Sequence, residues 1–401
     1  MLHDTVDTMH PVFLFAGFFF FAVSYNLLGP LATNIMQTTG LSLSGSGTLV
    51  SFQQIGSLIS MAVSLLVMKR LKQGSVMKIG YLFLIVALVS IALSSTTTAL
   101  FIFYLILGLG SFLVDSASNA TLASEYYEKR SLYIPLLHFC YSIGAIATGY
   151  LILPFKGASW RWAYGLVGVI MALILITGSV HREATRKQST KTRDMEPTKD
   201  AVGPIILLLK DRAFILYTLV IMLYMGSQVV CAAWIPVYVE TELGQSASIT
   251  GTSLTVFWIG TALSRLIVGP IMNRGAKPFT LSIWGMLLAG VSLVGATLSG
   301  SIPIVLILVL LCGFFAGATI PMYVVITSTW YPRNTAFISL SYIVSGTVGR
   351  MIFPYLVAKV ASFTSLGFAL MLSSLMLIIS AFMILGVRSA TRNRAESLHT
   401  P

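Results

Sequence analysis

Apolar runs of about 20 residues recur from one end of this 401-residue chain to the other. Each run is long enough to cross the roughly 30 Å hydrocarbon core of a bilayer as an α-helix. A helix also pairs its own backbone amides and carbonyls, as a chain in lipid must do. Only 9% of the residues are charged, whereas a soluble domain usually has about 25%. We therefore predict an all-α membrane protein.

The apolar runs number twelve, so both termini should lie on the same side of the membrane. The predicted spans are 11–33, 47–68, 77–95, 99–122, 131–153, 159–179, 213–237, 248–272, 279–298, 302–325, 334–357 and 364–387. Of the 25 Lys and Arg residues, 20 then fall on the side of the termini. Basic residues concentrate on the cytoplasmic side of membrane proteins. We expect both termini in the cytoplasm and a location in a bacterial cytoplasmic (inner) membrane.

Several functional classes do not fit this composition. The net charge of +12 follows the membrane topology, and no folded soluble surface carries the basic patches with interleaved aromatic residues that would bind nucleic acid. Three cysteines, Cys140, Cys231 and Cys312, lie within different spans, which fits neither a disulfide framework nor a metal site. The chain contains no GxxxxGK phosphate loop and no dinucleotide fingerprint. We expect no cofactor, no metal and no enzymatic activity.

The chain divides into two halves that repeat one plan. Residues 40–60 and 244–264 match at a constant offset of 204, with eight of 21 positions identical. Chance similarity between helices rich in small residues is the alternative, but the correspondence continues through the loop that follows. Because each half holds six spans, the repeat is parallel, as in the two halves of major facilitator transporters. We predict a bundle at 1–179, a basic cytoplasmic linker at 180–212, a second bundle at 213–387 and a cytoplasmic tail at 388–401.

One carboxylate lies deep in the first half. Asp115 is the only charged residue among the 46 residues between Lys78 and Glu125. His138 in span 5 lies at the same depth, about 6 Å to the cytoplasmic side of the middle of its span. Ionisable residues within spans usually face a cavity or a partner, although a structural hydrogen bond is the simpler explanation for either residue. We predict a proton-coupling pair, with Asn119 and Tyr141 on the same helix faces.

The second half holds two arginines within spans. Arg265 lies toward the cytoplasmic end of span 8, where it could reach the interface or cap a helix end. Arg350 lies near the middle of span 11, far from both interfaces, and either pairs with a protein group or contacts substrate. Amides and aromatic rings at similar depth suit a neutral polyhydroxylated ligand, and interhelical hydrogen bonding is the alternative. The candidates of this kind are Asn26, Gln53, Gln228 and Trp258.

The stretch from Leu113 to Tyr150, LVDSASNATLASEYYEKRSLYIPLLHFCYSIGAIATGY, resembles the fucose–galactose–proton symporter family of the major facilitator superfamily. The resemblance places Asp115 at the acidic position of span 4 in that family, Asn119 at its asparagine and His138 at a substrate-contacting glutamine. It also places Tyr141 at a sugar-site asparagine. The span 8 stretch FWIGTALSRLIVGPIMNR is similar as well. In span 1, Gly29 occupies the position of an aspartate in fucose permease-like members.

We therefore expect a major facilitator transporter, a monomer with a small-molecule substrate, that moves a polar solute, most simply a sugar, with protons. Three alternative functions are compatible with the same sequence. An organic-anion carrier would use Arg350, together with Arg265, to hold a carboxylate or phosphate. A drug or metabolite exporter would have a wider and more aromatic cavity. A receptor of the same fold that does not transport would have no need for Asp115.

Overall fold

The computed structural model describes residues 11–67, 71, 73–124, 126, 130–180, 210–330 and 335–397, and its regular elements there are helical. The helices are α1 (Pro11–Asn26), α2 (Leu28–Thr39), α3 (Leu43–Val67), α4 (Gln73–Leu93), α5 (Thr97–Ser124), α6 (Arg130–Leu151), α7 (Trp160–Val180), α8 (Arg212–Thr241), α9 (Ala247–Asn273), α10 (Pro278–Leu298), α11 (Ile302–Gly317), α12 (Thr319–Trp330), α13 (Thr335–Ala361) and α14 (Leu366–Ser397). Two short 3₁₀ turns lie between α6 and α7.

Twelve helical segments correspond to the twelve predicted spans, with α1–α2 as span 1 and α11–α12 as span 10. In the described residues, ten segments are long and apolar enough to cross a membrane, and the bent pair α1–α2 is an eleventh. The remaining segment is α3, which has 25 residues but is rich in serine and also contains Gln53 and Gln54. The predicted all-α membrane fold is confirmed.

Two of the spans are broken, and a proline explains each break. Pro30 has no amide hydrogen to donate to the carbonyl of Asn26, so span 1 bends by 45° between α1 and α2. Pro321 has the same effect on the carbonyl of Gly317, and α11 ends there. Each of these two predicted spans therefore consists of two helices in the structure.

The internal sequence repeat corresponds to equivalent helix packing in the two halves. A Cβ at Gly56 of α3 would meet the Leu105 carbonyl of α5, and one at Gly260 of α9 would meet the Leu310 carbonyl of α11. Hydroxyl groups at equivalent positions then bond across the same helix pairs. Ser57 donates to the Gly108 carbonyl and Thr261 donates to the Gly313 carbonyl. Small residues allow this close approach between helices in a membrane.

The two halves meet at one end of the bundle. We call the end where α1 begins and α14 ends the termini side, and the opposite end, with the short connection at 40–42 and the loop at 152–159, the far side. Hydrogen bonds between the halves lie at the centre and toward the far side: Trp258 to Asn26, Ser51 to the Met351 carbonyl, Thr255 to the Ile146 carbonyl, Tyr150 with Thr252, and Lys156 to Glu240.

Glycines bring the helix backbones together along this far-side contact. A Cβ at Gly251 of α9 would lie 2.0 Å from the Gly149 carbonyl oxygen of α6. A Cβ at Gly29 of α2 would lie 2.3 Å from the carbonyl oxygen of Ala232 in α8. Pro236 deprives that Ala232 carbonyl of its usual helical donor. The far side is therefore closed by backbone packing that no larger residue would allow.

Two predicted regions of the chain extend past the described helices. Of the predicted linker at 180–212, residues 181–209 lie outside the described residues. The predicted tail at 388–401 starts inside a helix, because α14 continues to Ser397, ten residues beyond the predicted end of span 12.

Candidate functional site

Asp115, Asn119 and His138 form one chain of hydrogen bonds. The Asn119 amide nitrogen donates to the Asp115 carboxylate at 3.1 Å and to the Asp115 backbone carbonyl at 2.9 Å. The Asn119 oxygen lies 3.1 Å from Nε2 of His138. Because the amide nitrogen of Asn119 is already a donor to Asp115, its oxygen accepts and Nε2 of His138 carries the hydrogen. One amide thus connects the carboxylate of α5 with the imidazole of α6.

The helix periodicity of α5 explains why these groups meet. Asp115 and Asn119 are four residues apart and therefore share a helix face. Ala117 and Ser118, between them in sequence, are fully buried on the other faces. Asp115 and His138 are both exposed to solvent, although each lies well inside its span. The structure thus brings together the three predicted polar residues of spans 4 and 5.

Arg350 of α13 faces this group from the second half. Electrostatic interaction connects Asp115 with Arg350 as well as with His138. Arg350 and Asp115 also both interact electrostatically with the hydroxyl groups of Tyr141 and Tyr342. Because the accessible carboxylate and imidazole interact with charges of the other half, we infer that the surface they share is a cleft between the halves. We call it the central cleft; the far-side contacts close it at one end.

An aromatic cluster lies against the cleft in the first half. The Phe18 ring lies 6.0 Å from the His138 ring and 5.9 Å from the Tyr141 ring, centroid to centroid. Phe21 lies 5.7 Å from Tyr141. Tyr141 in turn makes an edge contact with Trp258 of the second half at 6.3 Å. The rings fix Tyr141 between His138 and the far-side contact.

Asn26 and Trp258, both predicted to contact substrate, contact each other in this structure. Nε1 of Trp258 donates to Oδ1 of Asn26 at 3.1 Å, and the Asn26 amide donates to the Ala22 carbonyl at 2.8 Å. Both residues are buried, with 5% and 6% of their surfaces exposed. In this state of the protein the pair therefore forms part of the contact that closes the far side.

Arg265 has a different environment from Arg350. Its Nε lies 3.4 Å from the Gly317 carbonyl oxygen, the carbonyl that Pro321 leaves without a helical donor. Arg265 also interacts electrostatically with His138 and with the hydroxyl of Tyr224. Capping of a helix end was one explanation that the sequence suggested for Arg265. The long hydrogen bond to the last carbonyl of α11 is a contact of this type.

The two remaining predicted residues lie apart from the Asp115 group. Gln53 is 4% exposed, its amide nitrogen has no hydrogen-bond partner among the described residues, and its backbone carbonyl packs against Gly108. Gln228 donates to the Tyr224 hydroxyl at 3.0 Å. Gln53 therefore lies in the packing between α3 and α5, while Gln228 joins the cluster around Arg265.

Sequence reasoning missed the aromatic residues that surround the cleft, although the spacing could have indicated them. Phe18, Phe21 and Tyr25 recur at three- and four-residue intervals and share one face of α1. Tyr342 lies two helical turns before Arg350, on the same face of α13. These rings are themselves uncharged, so the charges within the spans do not identify them. In the described residues no three His, Cys, Asp or Glu side chains lie together in a way that would hold a metal ion.

Comparison with known proteins agrees with this fold. The family model described as Major Facilitator Superfamily matches residues 14–281 and 219–400. "Bypass of stop codon protein 6" of Saccharomyces cerevisiae is 25% identical over 293 residues, 64% of this chain, and the chain spans only 57% of that relative. A "Protein TsgA homolog" of Buchnera aphidicola is 24% identical over 369 residues, 88% of this chain and 91% of the relative.

Solved structures share the architecture at low sequence identity. The nucleoside transporter NupG superposes with a TM-score of 0.76 at 14% identity, covering 94% of this chain and 98% of that chain. A D-xylose-proton symporter superposes with a TM-score of 0.72 at 16% identity, covering 93% and 96%. At such identities the likeness is one of fold.

Proposed function

This chain belongs to the Major Facilitator Superfamily, and we propose that it is a secondary transporter that moves a small polar solute, a sugar in the simplest case, together with protons. The observation that carries the proposal is the chain of Asp115, Asn119 and His138 in the central cleft. Two groups that can hold a proton are connected there by one amide. They are exposed to solvent deep within the bundle.

Asp115 is the group that binds the transported proton in this proposal. Charge on a carboxylate inside a membrane protein is unfavourable unless it is compensated. Protonation removes that charge, so the carboxyl group is neutral while the two halves move. His138, which Asn119 connects to Asp115 by hydrogen bonds, is the second group of the site that can hold a proton. Tyr141, which packs against the buried rings of Phe18 and Phe21, supplies a ring on which a sugar can stack.

Alternating access supplies the mechanism. The described conformation is closed at the far side, so the central cleft opens toward the termini side, which the distribution of basic residues assigns to the cytoplasm. Rocking of the halves would break the Trp258–Asn26 contact and expose the same cleft to the other side. The chain forms no covalent bond with its solute, so enzymatic activity is not part of the proposal.

The likeness of the span 4–5 region to the fucose–galactose–proton symporter family supports the sugar assignment. The departure at Gly29 is consistent with the packing, because a Cβ at that position would lie 2.3 Å from the Ala232 carbonyl oxygen. A second carboxylate therefore has no room in this conformation, and Asp115 alone is proposed to couple proton and solute.

The test is transport by purified protein in proteoliposomes, with and without an imposed proton gradient. Asp115→Asn resembles the protonated carboxylic acid, so it should still exchange solute while losing accumulation driven by the gradient. Accumulation by Asp115→Asn equal to that of the wild type would refute the coupling role. A reporter fused within 186–199 tests the membrane orientation, and a signal from the non-cytoplasmic side would refute it.

A further inference from the structure

Arg350 has unused hydrogen-bonding capacity in the central cleft. A guanidinium group has five N–H donors. Nη2 of Arg350 donates to the Thr347 hydroxyl at 2.9 Å, which is a neutral partner one helical turn away. Nε is buried and has no hydrogen-bond partner in the described structure. A buried donor without a partner is unfavourable, and more so when the group is charged.

The charges around the cleft do not balance. Arg265 and Arg350 each bring a positive charge, and Asp115 is the one acidic residue within the predicted spans. Among the described residues, neither arginine has a carboxylate oxygen within 4.0 Å, and the ion pair found there is Lys156 with Glu240 on the far side. An uncompensated positive charge remains near the middle of the membrane, where it requires a counter-charge.

The two arginines differ in their availability. Nε of Arg265 is directed at the Gly317 carbonyl, and the Tyr224 hydroxyl is also near this guanidinium. Arg350 has only Thr347 as its side-chain partner among the described residues. Arg350 is therefore the cation that can bind an anionic group from outside the protein.

We propose that the transported solute carries a carboxylate that binds Arg350, and that protonation of Asp115 strengthens this binding. The proposal rests on the transport function above and names its substrate class, a small hydroxylated carboxylate such as a sugar acid. Planar guanidinium and carboxylate groups can form two parallel hydrogen bonds. Hydroxyl groups of the solute would face Tyr141 and Tyr342, which share the electrostatic environment of Arg350.

The competition follows from the position of Asp115. Ionised Asp115 attracts the guanidinium of Arg350 and repels the carboxylate of a solute. Protonated Asp115 does neither. The proton and the anionic solute therefore favour each other's binding, and the coupling must be equal in both directions because the two equilibria are linked.

The ionisable neighbours of Asp115 come from several helices. His138 and Tyr141 lie on α6, and Arg350 and Tyr342 lie on α13. The helices packed against α5 carry further ionisable residues, Tyr25 on α1 and Lys78 and Tyr81 on α4. Of all these groups, His138 is the one that ordinarily titrates between pH 5 and 8. The Asp115→Asn variant is therefore needed to assign a pH dependence to the carboxylate.

Paired probes test the proposal on purified full-length protein. Galacturonate and galactose, and glucuronate and glucose, differ mainly in the carboxylate, and binding is measured by calorimetry at several pH values. We expect the acids to bind and the neutral sugars to bind at least about tenfold more weakly. Arg350→Gln should weaken binding of the acids about 10- to 100-fold, since hydrogen bonds to a charged group are lost, and Arg350→Lys should retain part of it. Arg161→Gln removes the same charge on the far side and should bind as the wild type does.

The second part of the test is the pH dependence of binding. Affinity of the wild type for the acids should rise as the pH falls, and Asp115→Asn should show the high affinity at every pH. Equal binding of neutral sugars by wild type and Arg350→Gln, or no binding of either acid, would overturn the proposal. A pH dependence that persists unchanged in Asp115→Asn would overturn the competition.

The two levels of the proposal can fail separately. If a neutral sugar accumulates with the proton gradient and Arg350→Gln transports it normally, the proton-coupled function stands and the carboxylate inference is wrong. If the acids bind through Arg350 but no gradient drives their accumulation, the inference stands and proton coupling is wrong.

Discussion

Trp258 of the second half donates a hydrogen bond of 3.1 Å to Asn26 of the first half, across 232 positions of sequence. The bond lies where span 1 bends, next to the proline that causes the bend. It joins the halves at the inner edge of the far-side contact, directly beside Tyr141. The bond therefore connects the closing of the far side with the wall of the central cleft.

The first prediction concerns this hydrogen bond. Trp258→Phe keeps an aromatic ring against Tyr141 but removes the donor, so the closed far side should lose about 0.5–1.5 kcal/mol. The far-side-open population should rise about 2- to 10-fold. The measurement is the rate at which an impermeant maleimide, added on the far side, labels Asn119→Cys in a variant with serine at the three native cysteines. Trp284→Phe, at an exposed tryptophan, is the control and should leave the rate unchanged.

Replacement of Gly251 should open the far side more than replacement of Trp258 does. In Gly251→Ala the new methyl group would lie 2.0 Å from the Gly149 carbonyl oxygen, so α6 and α9 must separate. We expect maleimide labelling from the far side to increase at least about tenfold, a shift of about 1.4 kcal/mol. Gly269→Ala is the matched control on the same helix, because a Cβ there meets no atom within 4 Å. Equal labelling of the two variants would show that the glycine contact does not hold the far side closed.

Asn119 is predicted to carry the connection between Asp115 and His138. Asn119→Leu keeps the branched shape of the side chain, is somewhat larger and has no polar atoms, so the hydrogen bonds to Asp115 and His138 are lost. Proton-driven accumulation in proteoliposomes should fall at least about tenfold, because a hydrogen bond to a charged group contributes about 1.5–3 kcal/mol, while exchange of solute at equal pH on both sides should fall less. An equal loss of both activities would indicate a structural role instead.

A separate prediction distinguishes Arg265 from Arg350. Arg265→Gln removes the guanidinium near the Gly317 carbonyl, so thermal unfolding should show a loss of stability of about 1 kcal/mol. Binding of galacturonate should change less than about threefold. Arg350→Gln should show the opposite pattern, with a large loss of binding and little loss of stability. If Arg265→Gln abolishes galacturonate binding in folded protein, both arginines contact the solute.

The sequence predicted the fold class well because its signals are periodic. Apolar runs recur at the length of a bilayer, and the two halves share residues such as Gly56 and Gly260 whose packing is repeated in the structure. The Asp115–Asn119–His138 group could also be predicted, since helix periodicity places the first two on one face and depth in the span places the third beside them.

The contact between Asn26 and Trp258 could not be predicted in the same way. The two residues lie in different halves, and which of their neighbours they meet depends on the angle between the halves. The position of Arg265 depends on a carbonyl freed by Pro321, which the sequence reveals only once the break in span 10 is known. The burial of Gln53 could not be predicted either, because a polar residue in a span can be buried between two helices as readily as it can line a cleft.

The far-side contact consists largely of backbone, as at Gly149 with Gly251 and at Gly29 with Ala232. A glycine has no side chain, so no side-chain conformational entropy is lost at these positions when the two helices come together. When the far side closes, the two helices can therefore pack without any side-chain rearrangement at these positions. When the far side opens, water can solvate the carbonyl groups that become exposed. The speed of the transport cycle would then depend on the motion of the halves through the lipid rather than on the refitting of side chains between them.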